Sequence, residues 1–225
     1  MSAWALRHFE GSAQALHDKV LPVPARRAAW LMVASERALT LGSAQAESSV
    51  NLALAERAGI AVVRRRSGGG AVLVGPGEVL WLDVIVPRGD PLWQDDIGRA
   101  MWWLGELWQD VLAGVGVDAE VWRGALRRDA LSDAVCFGGL GAGELTVGGR
   151  KVVGTSQRRT RDQARLQSAL LLRWPAALRA DLSGLGPDLA AELARRAVGL
   201  DELVTVNEAA LVEALDLALR ARAAL

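Results

Sequence analysis

Residues that build metal sites and disulfides are scarce in this sequence. Its 225 residues include one cysteine, Cys136, and two histidines, His8 and His17, both close to the N-terminus. A single cysteine excludes an internal disulfide, and one cysteine with two histidines offers no plausible zinc set. No histidine lies in the glycine-rich stretches, where it could activate a serine or the cysteine. We therefore expect no bound metal and no histidine-based triad.

Long apolar runs and an excess of charge are also missing. The best candidate for a membrane span, VLWLDVIVP at residues 79–87, is short and is interrupted by Asp83, whereas a span needs about 20 apolar residues. The first twenty residues carry charges throughout and lack the apolar core of a signal peptide. The net charge is zero at pH 7, which argues against a surface built to bind nucleic acid. We expect a soluble cytoplasmic protein with neither nucleic acid nor a membrane as a partner.

Lysine is scarce too, although arginine is plentiful. The chain has 24 arginines and only two lysines, Lys19 and Lys151. Lys151 lies in GGRKVVGTSQRR, where β-like runs flank Gly148-Gly149, and such a glycine pair predicts a tight hairpin. A compact ammonium just past this turn suits a narrow pocket that binds a single oxyanion. The alternative is an ordinary exposed lysine. Small or polar residues follow it: Gly154, Thr155, Ser156 and Gln157.

A second glycine-rich stretch, RRRSGGGAV, covers residues 64–72. Three consecutive glycines in a β-like context are costly in backbone entropy, but such a loop can bring backbone N–H groups close to a carboxylate or phosphate. The neighbouring arginines add forked donors that suit phosphate. The stretch is neither a Walker A loop nor a dinucleotide-binding fingerprint. A glycine bulge beside a solvated basic run is the alternative interpretation.

The remaining pattern predicts an α+β domain. Short apolar runs predict strands at residues 30–34, 60–63, 71–74, 78–86, 144–147 and 166–172. Helices are expected at residues 44–59 with Ser43 as a possible N-cap, at about 96–113 with Ile97 on the apolar face, and over most of 187–225. Because strands and helices do not alternate regularly, α+β fits better than a Rossmann arrangement. No linker or repeat divides the chain, so we expect one domain over residues 1–225.

The two glycine-rich stretches together resemble the lipoate-protein ligase family, within the lipoate/biotin ligase and octanoyltransferase superfamily. RRxSGGGAV is followed about eighty residues later by E-x-x-V-x-G-R-K-x-x-G-x-x-Q-R at residues 144–158, in the family's order and spacing. The resemblance covers roughly residues 30–172. It implies an α+β fold similar to that of biotin ligases and class II aminoacyl-tRNA synthetases, with a mixed, largely antiparallel sheet and flanking helices.

The resemblance also implies an activity. It implies that lipoate or octanoate is joined through an acyl-adenylate to a lysine of a lipoyl domain, with ATP and Mg²⁺ as substrates. The implied acceptors are the lipoyl domains of 2-oxoacid dehydrogenases or the glycine cleavage H protein. Lys151 would be the central catalytic charge, beside the polar residues that follow it. The residues implied to line the acyl pocket are Arg65, Ser67, Gly68, Gly69, Gly70 and Ala71.

Departures from the family leave two other hypotheses open. Residues 74–78 read VGPGE where many members carry His-Asp-x-Gly-Asn, and little but helix follows Pro187, where members often carry, or are paired with, an accessory domain. Cys136 resembles the thioester-forming cysteine of octanoyltransferases that use octanoyl acyl carrier protein, although SGGGAV in place of TGGRAV favours the ligase. The alternative is that Cys136 is a small buried residue of an apolar strand. A non-catalytic acyl-binding protein is the third hypothesis.

Overall fold

The structure is a computed structural model that describes residues 4–222. The strands are β1 (Leu6–Gly11), β2 (Ala28–Ala34), β3 (Ala38–Leu41), β4 (Ala61–Arg64), β5 (Val72–Val74), β6 (Val79–Pro87), β7 (Glu120–Val121), β8 (Leu145–Val147), β9 (Arg150–Arg159) and β10 (Gln163–Leu171). The helices are α1 (Ala13–Asp18), α2 (Leu52–Arg57), α3 (Trp102–Gly114), α4 (Ala130–Ala134), α5 (Ala176–Leu182), α6 (Pro187–Arg196) and α7 (Glu208–Ala221).

These strands form two sheets. The larger sheet has the order β1-β2-β6-β10-β9-β8-β7, and all its neighbours are antiparallel except β1 and β2. The smaller sheet has the order β4-β3-β5, with β3 parallel to β4 and antiparallel to β5. This arrangement confirms the predicted α+β fold with a largely antiparallel sheet. No described helix is long and apolar enough to cross a bilayer.

The central strand β6 is buried on both faces. Because side chains alternate along a strand, Leu80, Leu82 and Val84 share one core with α3 and α7. Trp81 and Ile85 point to the opposite face and belong to a second core together with α1 and α6. This second face is the one on which the candidate site lies.

The predicted hairpin is present at the turn between β8 and β9. Gly148 and Gly149 have φ angles of 56° and 77°, the left-handed conformation that a type I′ turn requires at both central positions. Lys151 is the second residue of β9 and pairs with Thr146 across the hairpin. The turn therefore places Lys151 on a ladder and not on a loop.

Two helix boundaries were wrong. Between residues 44 and 59, only Leu52–Arg57 is α-helical, after a single 3₁₀ turn at Glu47–Ser49, and Asn51 is the N-cap instead of Ser43. The reason is tertiary: the Ser43 amide donates to the Ser67 carbonyl (2.9 Å), and Gln45 Nε2 donates to the carbonyls of residues 133 and 134. The segment is thus used to hold loops around the site.

Ile97 also lies outside the predicted helix. The Asp96 carboxylate accepts from the backbone amides of Gly98 and Arg99 at 2.8 and 2.9 Å, which closes a local turn before α3 begins at Trp102. Ile97 is left largely exposed, whereas the other predicted face residues of this helix are buried. The C-terminal segment is mostly helical as predicted, up to residue 222, and residues 223–225 lie outside the described residues.

The hairpin yields a test of its turn geometry. Gly149→Ala is expected to lower the free energy of unfolding by about 1–2 kcal/mol, because an L-residue is strained at positive φ. An added Cβ meets no atom within 4 Å at Gly149 or at Gly114, the last residue of α3. Gly114→Ala is therefore the matched control and should not destabilise the protein. Equal destabilisation by both substitutions in urea unfolding would contradict the turn assignment.

Candidate active site

A narrow apolar pocket lies between the second face of the large sheet and the small sheet. Its walls come from α1, β3, β5, β6, β9 and β10 and from the residue 136–137 turn. Most of its surface is apolar, and Phe137, Trp81 and Val72 supply much of the wall. The lining residues that the sequence had marked as functional are Arg65, Cys136, Gly154, Thr155 and Ser156.

A larger groove of about 620 Å³ adjoins this pocket. Its lining includes Lys151, Gln157, the glycine-rich residues 68–70 and the segment of residues 124–128. Cys136, Thr155 and Ser156 line both cavities. These three residues therefore mark the junction at which the apolar pocket opens into the groove.

Lys151 is buried and fully engaged at this junction. Its Nζ lies 2.6 Å from Glu144 Oε2 and donates to the carbonyls of Cys136 (3.0 Å) and Gly139 (3.1 Å). An ammonium has three hydrogens, so these three acceptors account for all of them. Its side chain is only 3% exposed. The sequence indicated a compact charge suited to binding one oxyanion in a narrow pocket, and in the structure this charge forms a buried ion pair.

Glu144 completes this arrangement. Its Oε1 accepts from the amide of Thr155 (3.0 Å), and its Oε2 accepts from the amide of Gly141 (2.7 Å). A carboxylate can accept several hydrogen bonds at once, and Glu144 uses this capacity to connect β9 to the loop that precedes β8. The residue belongs to the sequence motif, yet nothing in the sequence showed that its side chain would be the partner of Lys151.

Arg65 shapes the glycine-rich loop from inside the protein. It donates to the carbonyls of Thr40 (3.1 Å), Gly68 (2.7 Å) and Gly70 (2.8 Å). Burial lowers the pKa of its guanidinium, and the interaction with the nearby Cys136 sulfur acts in the opposite direction. Three of its five N–H donors are therefore directed to loop and strand carbonyls, and Arg65 supports the loop as well as lining the pocket.

The loop itself approaches the Cys136 turn closely. A Cβ on Gly70 would come within 2.5 Å of the Ser132 carbonyl oxygen and 2.8 Å of the Cys136 nitrogen, so only glycine fits there. The Ala71 carbonyl accepts from the Cys136 amide at 3.0 Å. Ala71 is buried and supports the cysteine through its backbone; its side chain lines neither the pocket nor the groove.

Cys136 begins a 3₁₀ turn, Cys136–Gly138, and is half-buried. The alternative that Cys136 is a small buried residue of an apolar strand is therefore wrong, although its neighbours Val135 and Phe137 are buried. The backbone reverses here because the Cys136 amide is bonded to Ala71 and its carbonyl to Lys151. These contacts leave the thiol at the junction of the two cavities.

A chain of buried polar groups runs beneath the pocket. Ser67 Oγ lies 3.1 Å from Ser156 Oγ and donates to Gln167 Oε1 at 3.2 Å, and Gln167 Nε2 reaches Asp83. Burial raises the pKa of the Asp83 carboxyl, and the ion pair with Arg165 (2.5 Å) opposes that shift. In the sequence, Asp83 was only an interruption of an apolar run. In the structure it ends this row of hydrogen-bonded side chains and binds Arg165.

The described residues contain no group of three or more His, Cys, Asp or Glu side chains arranged to hold a metal ion. Within the groove, Glu144 is paired with Lys151, and Asp133 lies 2.5 Å from Arg128. Both carboxylates therefore already have a cationic partner.

Comparisons with known proteins show the family to which the chain belongs. The family model described as the lipoyl protein ligase A/B catalytic domain matches residues 13–180. The chain belongs to this family. The match confirms the resemblance drawn from the two glycine-rich stretches, and it extends beyond the residues they cover. None of the curated proteins compared with the chain matches it significantly.

Solved structures resemble this catalytic domain over most of its length. A bi-partite lipoate protein ligase with its E2 lipoyl domain, from Thermoplasma acidophilum, has a TM-score of 0.73 at 17% identity and covers 96% of this chain and 81% of its own. A lipoate-protein ligase A bound with ATP has a TM-score of 0.71 at 17% identity, covering 95% and 81%. The biotin protein ligase of Aquifex aeolicus has a TM-score of 0.51 at 10% identity, covering 97% and 69%.

The buried ion pair of this lipoyl ligase domain can be tested by its effect on stability. Glu144→Gln and Lys151→Met are each expected to lower the free energy of unfolding by about 3–5 kcal/mol, because each leaves the other group buried without its partner. The double substitution should cost clearly less than the sum of the two. Urea unfolding of the four proteins measures this coupling.

The control for this double-mutant cycle is an exposed ion pair with a similar N···O distance. Arg123 and Glu106 lie 2.8 Å apart, with about half of each side chain exposed. Glu106→Gln should change the free energy of unfolding by less than about 1 kcal/mol. Additive effects at Glu144 and Lys151 would show that the two side chains do not form a pair.

Proposed function

We propose that the protein is a lipoate-protein ligase that joins lipoate or octanoate to a lysine of a lipoyl domain through an acyl-adenylate. The observation that carries this proposal is the junction itself: a narrow apolar pocket opens into a polar groove at Cys136, Thr155 and Ser156. In this proposal the eight-carbon chain enters the apolar pocket, and the nucleotide binds in the wider groove. The carboxyl carbon would then lie at the junction, between the two.

The chemistry follows from this placement. A carboxylate is a poor acyl donor, so one of its oxygens first attacks the α-phosphorus of ATP, and the bond to pyrophosphate breaks. The amine of the acceptor lysine then attacks the carbonyl carbon of the mixed anhydride, loses a proton, and AMP leaves. Mg²⁺ would enter with ATP, held chiefly by phosphate and water oxygens. The ATP-bound lipoate-protein ligase A among the similar structures supports this route.

The residues around the junction have distinct roles in this scheme. Lys151 supplies positive charge beside the reacting carboxyl group, where it offsets the charge that develops on oxygen. Because its three hydrogens already have acceptors, direct contact with the adenylate requires that one of the bonds to Glu144, Cys136 or Gly139 be exchanged. Residues 68–70 line the groove, where glycine lets the backbone approach phosphate.

A second candidate function rests on Cys136. Its half-buried thiol lines both cavities, which is where a carbonyl carbon must lie to be attacked by sulfur. In this octanoyltransferase scheme the thiolate displaces the carrier thiol from octanoyl acyl carrier protein and forms an enzyme thioester. The acceptor lysine then attacks that thioester and releases the Cys136 thiol.

The proposed partners are the lipoyl domains of 2-oxoacid dehydrogenases or the glycine cleavage H protein. One similar structure is described as a bi-partite lipoate protein ligase and its E2 lipoyl domain, which supports a lipoyl domain as the acceptor. Acyl carrier protein is the donor only in the Cys136 scheme. The single-domain organisation over residues 1–225 stays a prediction.

One experiment separates these schemes. The protein is incubated with an apo-lipoyl domain and either lipoate with Mg-ATP or octanoyl acyl carrier protein, and the acceptor is weighed by intact mass spectrometry. The ligase predicts a lipoyl mass gain that requires ATP and is retained in Cys136→Ser. Transfer only from the carrier protein, abolished in Cys136→Ser, would replace the ligase with the octanoyltransferase. No transfer from either donor, despite acyl binding, would leave a non-catalytic binding protein.

The same assay tests the compact charge at position 151. Lys151→Arg is expected to lower turnover at least about a hundredfold, because a planar guanidinium cannot reproduce a point charge set among three converging acceptors. Arg150→Lys, on the exposed side of the same strand, is the matched control and should retain near-normal turnover. Near-normal turnover of Lys151→Arg would contradict the role assigned to Lys151.

A further inference from the structure

Two buried polar atoms of the apolar pocket have no hydrogen-bond partner among the described residues. They are His17 Nε2 and Thr40 Oγ1. Both residues line the pocket, and neither lines the groove. They are 8% and 1% exposed. A polar atom buried without a partner is unfavourable, so two of them in one small pocket point to a missing polar group.

His17 is held firmly in place. Its ring lies 4.4 Å from the Trp81 ring, and Arg165 donates to the carbonyls of Leu16 and His17, both at 2.8 Å. Arg165 is fixed in turn by its ion pair with Asp83. This support aligns the end of α1 with the pocket, so His17 is positioned by the same buried charges that underlie the pocket floor.

The imidazole is neutral in this setting. Burial and then the charges of Arg165 and Arg65 lower its pKa to about 3, and Asp18 opposes them only weakly. A neutral imidazole offers one N–H donor and one acceptor nitrogen. Thr40 adds a hydroxyl, which can donate or accept. The neutral imidazole and the hydroxyl can therefore hydrogen-bond to an uncharged, weakly accepting atom, and no charge has to be neutralised.

We propose that His17 and Thr40 are specificity-determining residues that recognise heteroatoms on the buried part of the acyl chain. This inference rests on the proposed function. Octanoate presents only methylene and methyl groups there, which would leave both polar atoms without partners. The dithiolane of lipoate places two polarisable sulfurs on the same eight-carbon chain, and sulfur is a weak acceptor. The pair thus selects lipoate over octanoate.

The test measures binding of the free acids, so that it does not depend on turnover. Isothermal titration calorimetry with lipoate and with octanoate gives the ratio of their dissociation constants for the wild type, His17→Leu, Thr40→Val and the double variant. The wild type should prefer lipoate by about tenfold or more, since octanoate leaves two buried polar atoms without partners and one such atom already costs roughly that factor. The double variant should bind the two acids within about twofold of each other, mainly because octanoate binds more tightly.

Further variants guard against loss of the fold. His17→Gln and Thr40→Ser keep a polar atom at each position and should retain most of the preference. Val72→Ala changes the size of the same pocket without changing its polarity, and should weaken both acids alike.

The outcomes separate this inference from the proposed function. If both acids bind and their ratio is the same in the wild type and the double variant, the selectivity role is overturned, and a buried water would satisfy the two atoms. If neither acid binds the folded wild type, the acyl pocket itself is wrong and the proposed function fails with it.

Discussion

The buried contact between Lys151 and Glu144 holds the candidate site together. Lys151 reaches the carbonyls of Cys136 and Gly139, and Glu144 reaches the amides of Gly141 and Thr155. The pair therefore fixes the loop before β8 against β9, and Cys136 in that loop is bonded to the glycine-rich segment at Ala71. Taking two charges out of water is expensive unless both are fully hydrogen-bonded, and here both are. This one contact therefore ties together the two segments, residues 136–144 and β9, that meet at the junction of the pocket and the groove.

That contact also explains why a lysine stands in a chain otherwise rich in arginine. Three acceptors converge on Nζ from a carboxylate and two carbonyls, which matches the three hydrogens of an ammonium. A guanidinium is planar and presents its donors as a fork. The turn at Gly148 and Gly149 fixes the position of Lys151 on β9. The ion pair with Glu144 then orients the Lys151 side chain. The local turn and the tertiary ion pair therefore both place Lys151 at the candidate site.

The parts of the site that could be predicted are those with a local signal. The turn at Gly148 and Gly149 follows from backbone conformation alone, and the apolar run of β6 follows from burial on two faces. Tertiary contacts could not be predicted. The sequence indicates a helix from residue 44, but Gln45 is drawn to the carbonyls of residues 133 and 134. His17 and Thr40 carry no motif and lie more than twenty residues apart, so only the fold places them in one pocket.

The central claim is that the junction between pocket and groove activates a carboxylate with a nucleotide. It is tested most directly by exchange of labelled pyrophosphate into ATP without any acceptor protein. We expect exchange that depends on lipoate and Mg²⁺ and persists in Cys136→Ser, because adenylate formation needs no thiol. Absence of exchange from a folded protein that still moves octanoate from a thioester to a lipoyl domain through Cys136 would contradict it.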